Sequence, residues 1–318
     1  MDLSSPQQPF RSGFIALVGR PNVGKSTLLN RLVGQKVAIT SPVAQTTRRR
    51  LRGILTLPEA QLIFVDTPGI HKPHHLLGER LVNSARMAIG EVDLVLLLMN
   101  GCLAPGRGDA FIVDLLKHCH SPVHVALNHW DLVIPPQIEE QMAAYRRFLS
   151  DATEEVGVAW PLHPVSALTG FGMEELITSL IHDLPAGPSL YPTEMVCDQS
   201  EETLLSELIR EQVLLHTREE VPHSVAVQID KIEEISRPHP KSGQPIAVLA
   251  TVFVERQSQK AILIGRGGQM LKSIGSGARR QMEALLDCSV YLEIFVKVVP
   301  NWRRSSTRLA ELGYGNES

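Results

Sequence analysis

A glycine-rich loop between an apolar run and a helical pattern constrains the fold of this chain more than any other stretch. The loop is Gly19–Thr27, and it fits the pattern G-x-x-x-x-G-K-[ST]. The apolar run Phe14–Val18 precedes it, and Leu28–Val33 follows with the spacing of a helix. In such a loop the backbone N–H groups surround a phosphate, and the helix start adds partial positive charge. The flanking strand and helix therefore favour a nucleotide-binding α/β domain over a plain glycine turn.

Two side chains of this loop have chemical roles in that prediction. Lys25 supplies a positive charge for the outer phosphates, and Ser26 offers a hydroxyl to a Mg²⁺ that bridges phosphate oxygens. The loop residues expected around the nucleotide are Gly19, Arg20, Pro21, Asn22, Val23, Gly24, Lys25, Ser26 and Thr27.

A second motif follows the apolar run Gln61–Val65 and reads Asp66-Thr67-Pro68-Gly69. An aspartate at a strand end near a phosphate loop holds the metal through water, and the glycine can give its N–H to the terminal phosphate. The same four residues could form a turn in any protein. Together with the first loop they predict Asp66 as a metal residue and Gly69 as a catalytic one.

The purine is predicted by Asn128-His129-Trp130-Asp131, which ends the apolar run Val123–Leu127. An aspartate can accept both the ring N–H and the exocyclic amine N–H of guanine, whereas adenine lacks that pair of donors. A site built this way rejects adenine because the carboxylate would be left unpaired. The alternative is that Asn128 and Asp131 only cap the following turn.

Length and patterning predict two domains. The 318 residues fit about two domains. Apolar runs alternate with helical patterns up to a proline-rich stretch at 184–200, which indicates a mainly parallel sheet with helices on both faces. The predicted boundaries are 11–184 for this domain, 185–220 for a linker and connecting helix, 221–300 for a smaller domain, and 301–318 for a short helix and tail.

Composition narrows the classes of protein. No apolar run approaches the roughly 20 residues that span a bilayer, and the polar start 1–9 does not resemble a secretory signal. The four cysteines are scattered, which favours a reducing, cytoplasmic setting. The three histidines within 70–78 indicate a polar loop rather than a metal site, so no metal is expected beyond the nucleotide's Mg²⁺.

The C-terminal part is basic although the chain carries a net charge of −3. Residues 237–308 hold 12 Lys/Arg and 4 Asp/Glu, which suggests an anionic partner. A G-x-x-G sequence, Gly265–Gly268, lies in this segment between two helical patterns and can clamp a nucleic-acid backbone. The alternative is a helix-breaking turn in a small α+β domain. Residues expected to touch RNA are Ile264, Gly265, Arg266, Gly267, Gly268, Lys272 and Arg279.

The ordered motifs of the first domain resemble those of translation-factor-class small GTPases. The resemblance implies that Thr47, or Thr46, closes on Mg²⁺, and that backbone N–H groups of Ser166-Ala167 hold the guanine O6. The nucleotide-binding residues outside the first loop would then be Asp66, Thr67, Pro68, Gly69, Ile70, Asn128, His129, Trp130, Asp131, Ser166, Ala167 and Leu168. Lys25, Ser26, Thr47 and Gly69 would be catalytic, and Ser26, Thr47 and Asp66 would serve the metal.

Three residues qualify that resemblance. His129 replaces the usual lysine, whose stem packs along the base and ties to the phosphate loop. Ile70 stands where many GTPases have a glutamine that orients water. Asn22 resembles the asparagine of relatives that bind K⁺ beside the phosphates, and its alternative role is turn support.

The order helix, strand, strand, helix, G-x-x-G, helix, strand resembles a type II KH domain. A GTPase domain followed by such a domain resembles the bacterial Era GTPase family, notably in Leu263–Gly275 and Asn301-Trp302-Arg303. The resemblance implies an α/β P-loop GTPase domain plus a smaller α+β type II KH domain. It also implies GTP hydrolysis, binding to the 3′ end of small-subunit rRNA, a role in 30S assembly, and weak peripheral membrane association. The rival functions are an RNA-binding scaffold with a relict nucleotide site and an ATPase.

Overall fold

The computed structural model describes residues 9–41, 51–67, 89–235, 243–305 and 307. By its internal contacts the chain forms two compact units. Unit 1 comprises Met1–Ala38 and Thr47–Asp198, and unit 2 comprises Ile39–Thr46 and Gln199–Ser318. In the described residues, no helix is long and apolar enough to cross a membrane.

Unit 1 alternates strands and helices, as the sequence predicted. Its described strands are β1 (Arg11–Gly19), β2 (Leu51–Thr56), β3 (Ala60–Asp66), β4 (Leu94–Asn100), β5 (Val123–Asn128) and β6 (Leu162–Pro164). Its described helices are α1 (Lys25–Val33), α2 (Arg107–Leu116), α3 (Ile138–Thr153) and α4 (Met173–Asp183).

The six described strands form one sheet in the order β2-β3-β1-β4-β5-β6. The pairs β1–β3, β1–β4, β4–β5 and β5–β6 are parallel, and the pair β2–β3 is antiparallel. Alternate residues of β1 enter different cores: Ile15 and Leu17 pack with α1 and α4, and Ala16 and Val18 pack with α2 and α3. Both faces of the sheet are thus covered, which explains the continuous apolar runs in the sequence.

Parallel pairing brings the carboxyl ends of five strands to one edge of the sheet, and four of these ends lead into predicted motifs. β1 ends at Gly19, β3 at Asp66, β5 at Asn128 and β6 at Pro164. The register fixes their heights, with Leu17 opposite Asp66 and Asn100 opposite Asn128. The predicted motifs follow these ends, so the topology collects them at the place where open α/β sheets bind ligands.

Unit 2 is an α+β domain with a three-stranded sheet in the order β7-β8-β9. Its strands are β7 (Ala226–Glu234), β8 (Gly243–Val254) and β9 (Cys288–Val298). The β7–β8 pair is antiparallel and the β8–β9 pair is parallel. Its described helices are α5 (Glu201–His216), α6 (Val221–Ser224), α7 (Gln257–Ile264) and α8 (Gln269–Leu286).

The second core lies between this sheet and the helices α5, α7 and α8. It includes Ile209 on α5, Val252 on β8, Leu263 on α7 and Met282 on α8, all almost completely buried. Trp302, just after β9, is also buried, and its indole N–H donates to the carbonyl oxygen of Ser224 at 3.0 Å.

Two predicted helices fall largely outside the described residues. The sequence pattern over 79–89 predicts a helix, of which only the last position is described, where Ile89 is helical. Of a helix expected over 303–312, the structure describes a 3₁₀ turn at Trp302–Arg304 and helical backbone at residue 307.

Candidate nucleotide and nucleic-acid sites

Lys25 lies inside the first glycine-rich loop. Its Nζ donates to the carbonyl oxygens of Gly19 and Arg20, each at 3.1 Å. Burial lowers the pKa of Lys25 to about 8, and the negative charge of Asp66 opposes that shift. A buried ammonium group held by loop carbonyls is placed to meet a group of opposite charge, and an anionic phosphate would favour its charged form.

Gly24 is required by both backbone conformation and space. Its φ of 95° is left-handed, and a Cβ built there would lie 2.2 Å from Asn128 Nδ2. Any larger residue would therefore displace the Asn128 side chain.

Asn128 joins two of the predicted motifs. Its Nδ2 donates to the carbonyl oxygen of Val23 at 2.8 Å, and its Oδ1 accepts the N–H of Ala167 at 2.9 Å. The side chain is 1% exposed, so both hydrogen bonds are shielded from water. Asn128 thus fixes the distance between the phosphate loop and the loop after β6.

The carboxyl end of β3 offers oxygen ligands. Asp66 is completely buried, and its Oδ2 accepts the Ser26 hydroxyl at 3.4 Å. Thr67 is held by its hydroxyl, which donates to the carbonyl oxygen of Leu17 at 2.6 Å. A hydroxyl and a carboxylate are the hard oxygen donors that Mg²⁺ prefers, so these residues fit that ion. The other motif residues, Thr46, Thr47, Pro68, Gly69 and Ile70, lie outside the described residues.

The residues predicted to recognise the base lie in and around a turn after β5. Asp131 is exposed in a 3₁₀ turn after His129, whose φ is 63°. Trp130 is buried in the sheet's core, so it supports the turn from below. A Cβ on Gly24 would lie 3.6 Å from His129 Nε2, which places the imidazole beside the phosphate loop. His129 therefore lies in the position that the resemblance gives to a lysine.

A cleft of about 320 Å³ lies between α1, the residues that follow this helix, and the loop after β6. Leu168 contributes to its wall and is 70% exposed, so its side chain is open to a ligand that enters the cleft. The lining residues are Thr27, Asn30, Arg31, Gly34, Gln35, Lys36, Ala167 and Leu168.

The loop after β6 uses its first N–H groups internally. Ser166 is fully buried, and its N–H donates to the carbonyl oxygen of Phe171 at 3.0 Å. The Ala167 N–H donates to Asn128 Oδ1. The two backbone donors expected to hold guanine O6 therefore already have protein acceptors.

Three residues outside the predicted motifs support the site. Asn30 accepts the N–H groups of residues 37 and 38 at 2.9 and 2.8 Å through its Oδ1. Asp109 accepts from Arg20 at 3.1 Å, which ties the phosphate loop to α2. Arg31 donates to the carbonyl oxygens of Ala167 and Leu168. Nothing in the local sequence distinguishes Arg31 from an ordinary exposed arginine, because its partners lie more than 130 residues away.

The G-x-x-G loop of unit 2 is built differently. Gly267 and Gly268 have left-handed φ values of 57° and 78°, and a Cβ on either would meet no heavy atom within 4 Å. Gly265 is confined, because its Cβ would lie 2.6 Å from the Cβ of Met270. The loop therefore presents open backbone at its second and third glycines.

Basic side chains lie on this loop and along helix α8, which follows it. Arg266, Lys272 and Arg279 are exposed, and Arg279 pairs only loosely with Glu283, at 3.9 Å. Ile264 is partly exposed, whereas its neighbour Leu263 is buried in the core. The structure thus places the seven predicted RNA-binding residues on one loop and the helices that flank it.

Comparisons with known proteins match one family model to each of the two units. The family model described as "50S ribosome-binding GTPase" matches residues 14–129, and that of the KH domain matches residues 220–303. The fold and sites thus define a P-loop GTPase with a C-terminal KH domain.

The full chain identifies the family. It is 56% identical to GTPase Era from Nostoc sp. over 98% of this chain and 93% of that protein, and 53% identical to GTPase Era from Synechocystis sp. over 97% and 95%. A crystal structure of Era in complex with MgGDPNP and nucleotides 1506–1542 of 16S ribosomal RNA has a TM-score of 0.86 and 37% identity, covering 96% of this chain and 99% of that one. The chain belongs to the GTPase Era family.

Proposed function

We propose that this protein binds GTP through unit 1 and hydrolyses it to GDP and phosphate. The observation that carries the proposal is the Asn128 side chain, which holds the phosphate loop and the loop after β6 in one buried arrangement. Family membership supports the same reaction, and solved Era structures carry MgGDPNP or GDP with AlF₄⁻.

Catalysis in this proposal is positioning and charge neutralisation. Lys25 meets the outer phosphates, where its ammonium group is already desolvated. Ser26, Asp66 and Thr47 would hold Mg²⁺, which when bound neutralises charge on the phosphate oxygens. The Gly69 N–H would contact the terminal phosphate. A single-turnover assay of GTP hydrolysis tests this proposal, and Lys25→Ala should remove most of the rate.

Guanine selection is assigned to Asp131, with Asn128 and the loop Ser166–Leu168 shaping the site. The ATPase alternative fails if ATP does not displace a labelled GDP. The relict-site alternative draws on His129 and Ile70, and it fails if the purified protein turns GTP over. The position of His129 beside Gly24 favours a working site, because the imidazole lies close to the phosphate loop.

Asn22 is the proposed K⁺ ligand. Its left-handed backbone, with φ of 63°, also fits simple turn support, since asparagine tolerates that conformation. Hydrolysis measured in K⁺ and Na⁺ buffers separates these roles, because equal rates would leave only turn support.

We propose that unit 2 binds the 3′ end of small-subunit rRNA and that the protein acts in 30S assembly. The open backbone at Gly267 and Gly268 and the exposed cations Arg266, Lys272 and Arg279 support this, because a sugar-phosphate chain can approach without meeting a side chain. Crosslinking in cells with wild-type and Gly267→Asp protein tests it. Recovery of that rRNA by wild-type alone is expected, and equal recovery would contradict the proposal.

A cytoplasmic site of action follows from a ribosomal partner. Weak peripheral membrane association stays a prediction from the family resemblance, and vesicle flotation of the purified protein tests it.

A further inference from the structure

One arginine on the helix after the phosphate loop holds the loop that faces the base. Arg31 Nε donates to the carbonyl oxygen of Ala167 at 3.1 Å, and its Nη2 donates to the carbonyl oxygen of Leu168. Two donors from one planar guanidinium on two successive carbonyls restrict the orientation of the peptide between these residues.

That peptide carries a donor of its own. The Ala167 carbonyl and the Leu168 N–H belong to the same peptide unit, and the described peptide bonds include no cis bond. In a trans peptide the C=O and N–H point in opposite directions. The bond from Arg31 to Ala167 therefore directs the Leu168 N–H away from the guanidinium nitrogen that holds the carbonyl.

The neighbouring donors are already used. Ser166 N–H donates to Phe171, Ala167 N–H to Asn128, and Thr169 N–H to the Ser166 hydroxyl at 3.1 Å. Within the part of the chain that the structure describes, Leu168 N–H is the donor of this turn without a protein acceptor. Its side chain is 70% exposed at the wall of the cleft.

We propose that Arg31 is a positioning residue for base recognition: it orients the Ala167–Leu168 peptide so that Leu168 N–H donates to the 6-carbonyl oxygen of guanine. The proposal rests on the proposed GTP binding and assigns part of its base specificity. Arg31 lies six residues after Lys25, or about 9 Å along the helix axis. One helix therefore carries the phosphate site at its start and the clamp on the base loop near its end.

The test compares ligands that differ at one atom. Binding of GDP and of 6-thio-GDP, whose sulfur is a weak acceptor, is measured by calorimetry for wild-type and Arg31→Ala. Loss of one oriented hydrogen bond should raise the Kd for GDP about tenfold and the Kd for 6-thio-GDP less than about threefold. Arg31→Lys, which can still reach one carbonyl, should recover part of the GDP affinity.

The controls distinguish the possible failures. Arg146→Ala removes another exposed arginine of unit 1 and should leave both affinities unchanged. An equal loss for the two ligands, or no loss for either, would overturn the role of Arg31. Absence of GDP binding by the wild-type protein would instead overturn the proposed function. A thermal melt of each variant shows whether it is folded. Arg31→Lys provides a second test of the role of Arg31, so a folding defect in Arg31→Ala is not mistaken for a binding effect.

Discussion

The two glycine-rich loops of this chain use glycine for different physical reasons. In the phosphate loop, Gly24 is surrounded, and a Cβ there would lie 2.2 Å from the Asn128 amide. In the G-x-x-G loop, Gly267 and Gly268 have left-handed backbone and nothing within 4 Å of a built Cβ. The first loop is shaped by other protein atoms, whereas the second is open to a ligand.

The side chains around the two loops also differ in how far they are exposed to solvent. Lys25, Asp66 and Asn128 are at most 7% exposed, and each is hydrogen-bonded to a residue of the phosphate loop. The residues of the second site, such as Arg266 and Lys272, are exposed. A small ligand enclosed by protein needs a preorganised cavity, whereas a nucleic-acid backbone needs accessible surface and charge.

The largest expected effect is a loss of GDP affinity on substitution in the phosphate loop. Gly24→Ala combines a left-handed φ with displacement of Asn128, so the Kd for GDP should rise at least about a hundredfold. Equilibrium binding of a fluorescent GDP analogue measures it. RNA binding should be unchanged, and a variant that keeps its GDP affinity would refute the steric requirement.

The next largest expected effect is a loss of stability in unit 2 when a buried carboxylate is removed. Glu211 is 1% exposed, accepts the Thr40 N–H at 2.7 Å, and accepts Gln281 Nε2 at 2.7 Å. Gln281 lies on α8, the helix that follows the G-x-x-G loop. Glu211→Ala would leave these partly buried donors without the carboxylate acceptor, at a cost of about 2 kcal/mol.

Hydrogen exchange of peptides from 201–216 and 269–286 measures this loss. Glu211→Gln keeps one acceptor oxygen and should lose less protection. Unchanged exchange in Glu211→Ala would show that the buried network does not support the second site.

The open glycines should tolerate a methyl group better than Gly24 does. Gly267→Ala adds left-handed strain but no clash within the protein, so GDP binding should not change. RNA affinity should fall about tenfold, since the methyl group occupies the space proposed for the backbone. Filter binding with an RNA from the 3′ end of small-subunit rRNA measures it, and full RNA affinity would indicate that this loop is not the contact.

The smallest effect concerns acid sensitivity, which we expect in unit 1. His124 Nδ1 lies 3.0 Å from His163 Nε2, and His124 Nε2 lies 2.8 Å from Asp183 Oδ2. Burial, with a smaller contribution from His124, lowers the pKa of His163 from 6.5 to about 4. Between those values the unfolded chain binds a proton that the folded one does not, so stability falls as pH drops from 6.5 to 4.

The size of this effect is under about 1 kcal/mol after solvent screening. His163→Gln should flatten the pH dependence of the hydrogen-exchange protection factors of peptides from 123–183. The protection factors of peptides from 243–298 should not change. The hydrogen bonds of Asp183 to His182 and His124 lower the pKa of its carboxyl group. Titration of Asp183 therefore changes stability at lower pH than titration of His163, and the two effects can be distinguished. An identical pH dependence in wild-type and variant would contradict the assignment.

The sequence predicted most of this architecture because apolar runs and glycine motifs are local signals. The parallel sheet, the strands leading to Gly19, Asp66 and Asn128, and the helices around Gly265–Gly268 are confirmed. The domain boundaries and individual site roles stay predictions.

Long-range hydrogen bonds could not be read from the sequence. Arg31 meets carbonyls of the loop after β6, and Asn128 meets Val23, because the fold brings distant segments together. The hydrogen bonds that the Ser166 and Ala167 N–H groups donate to Phe171 and Asn128 likewise depend on the geometry of the loop, which no residue pattern encodes.

The most direct test of the central claim exchanges one recognition group. Nucleotide hydrolysis is measured with GTP, ATP and XTP for wild-type and Asp131→Asn. Guanine recognition by Asp131 predicts that wild-type turns over GTP alone, and that the variant loses GTP and gains XTP, whose 2-oxo group accepts from an amide. Wild-type turnover of ATP at the GTP rate, or a variant that keeps full GTP turnover, would contradict it.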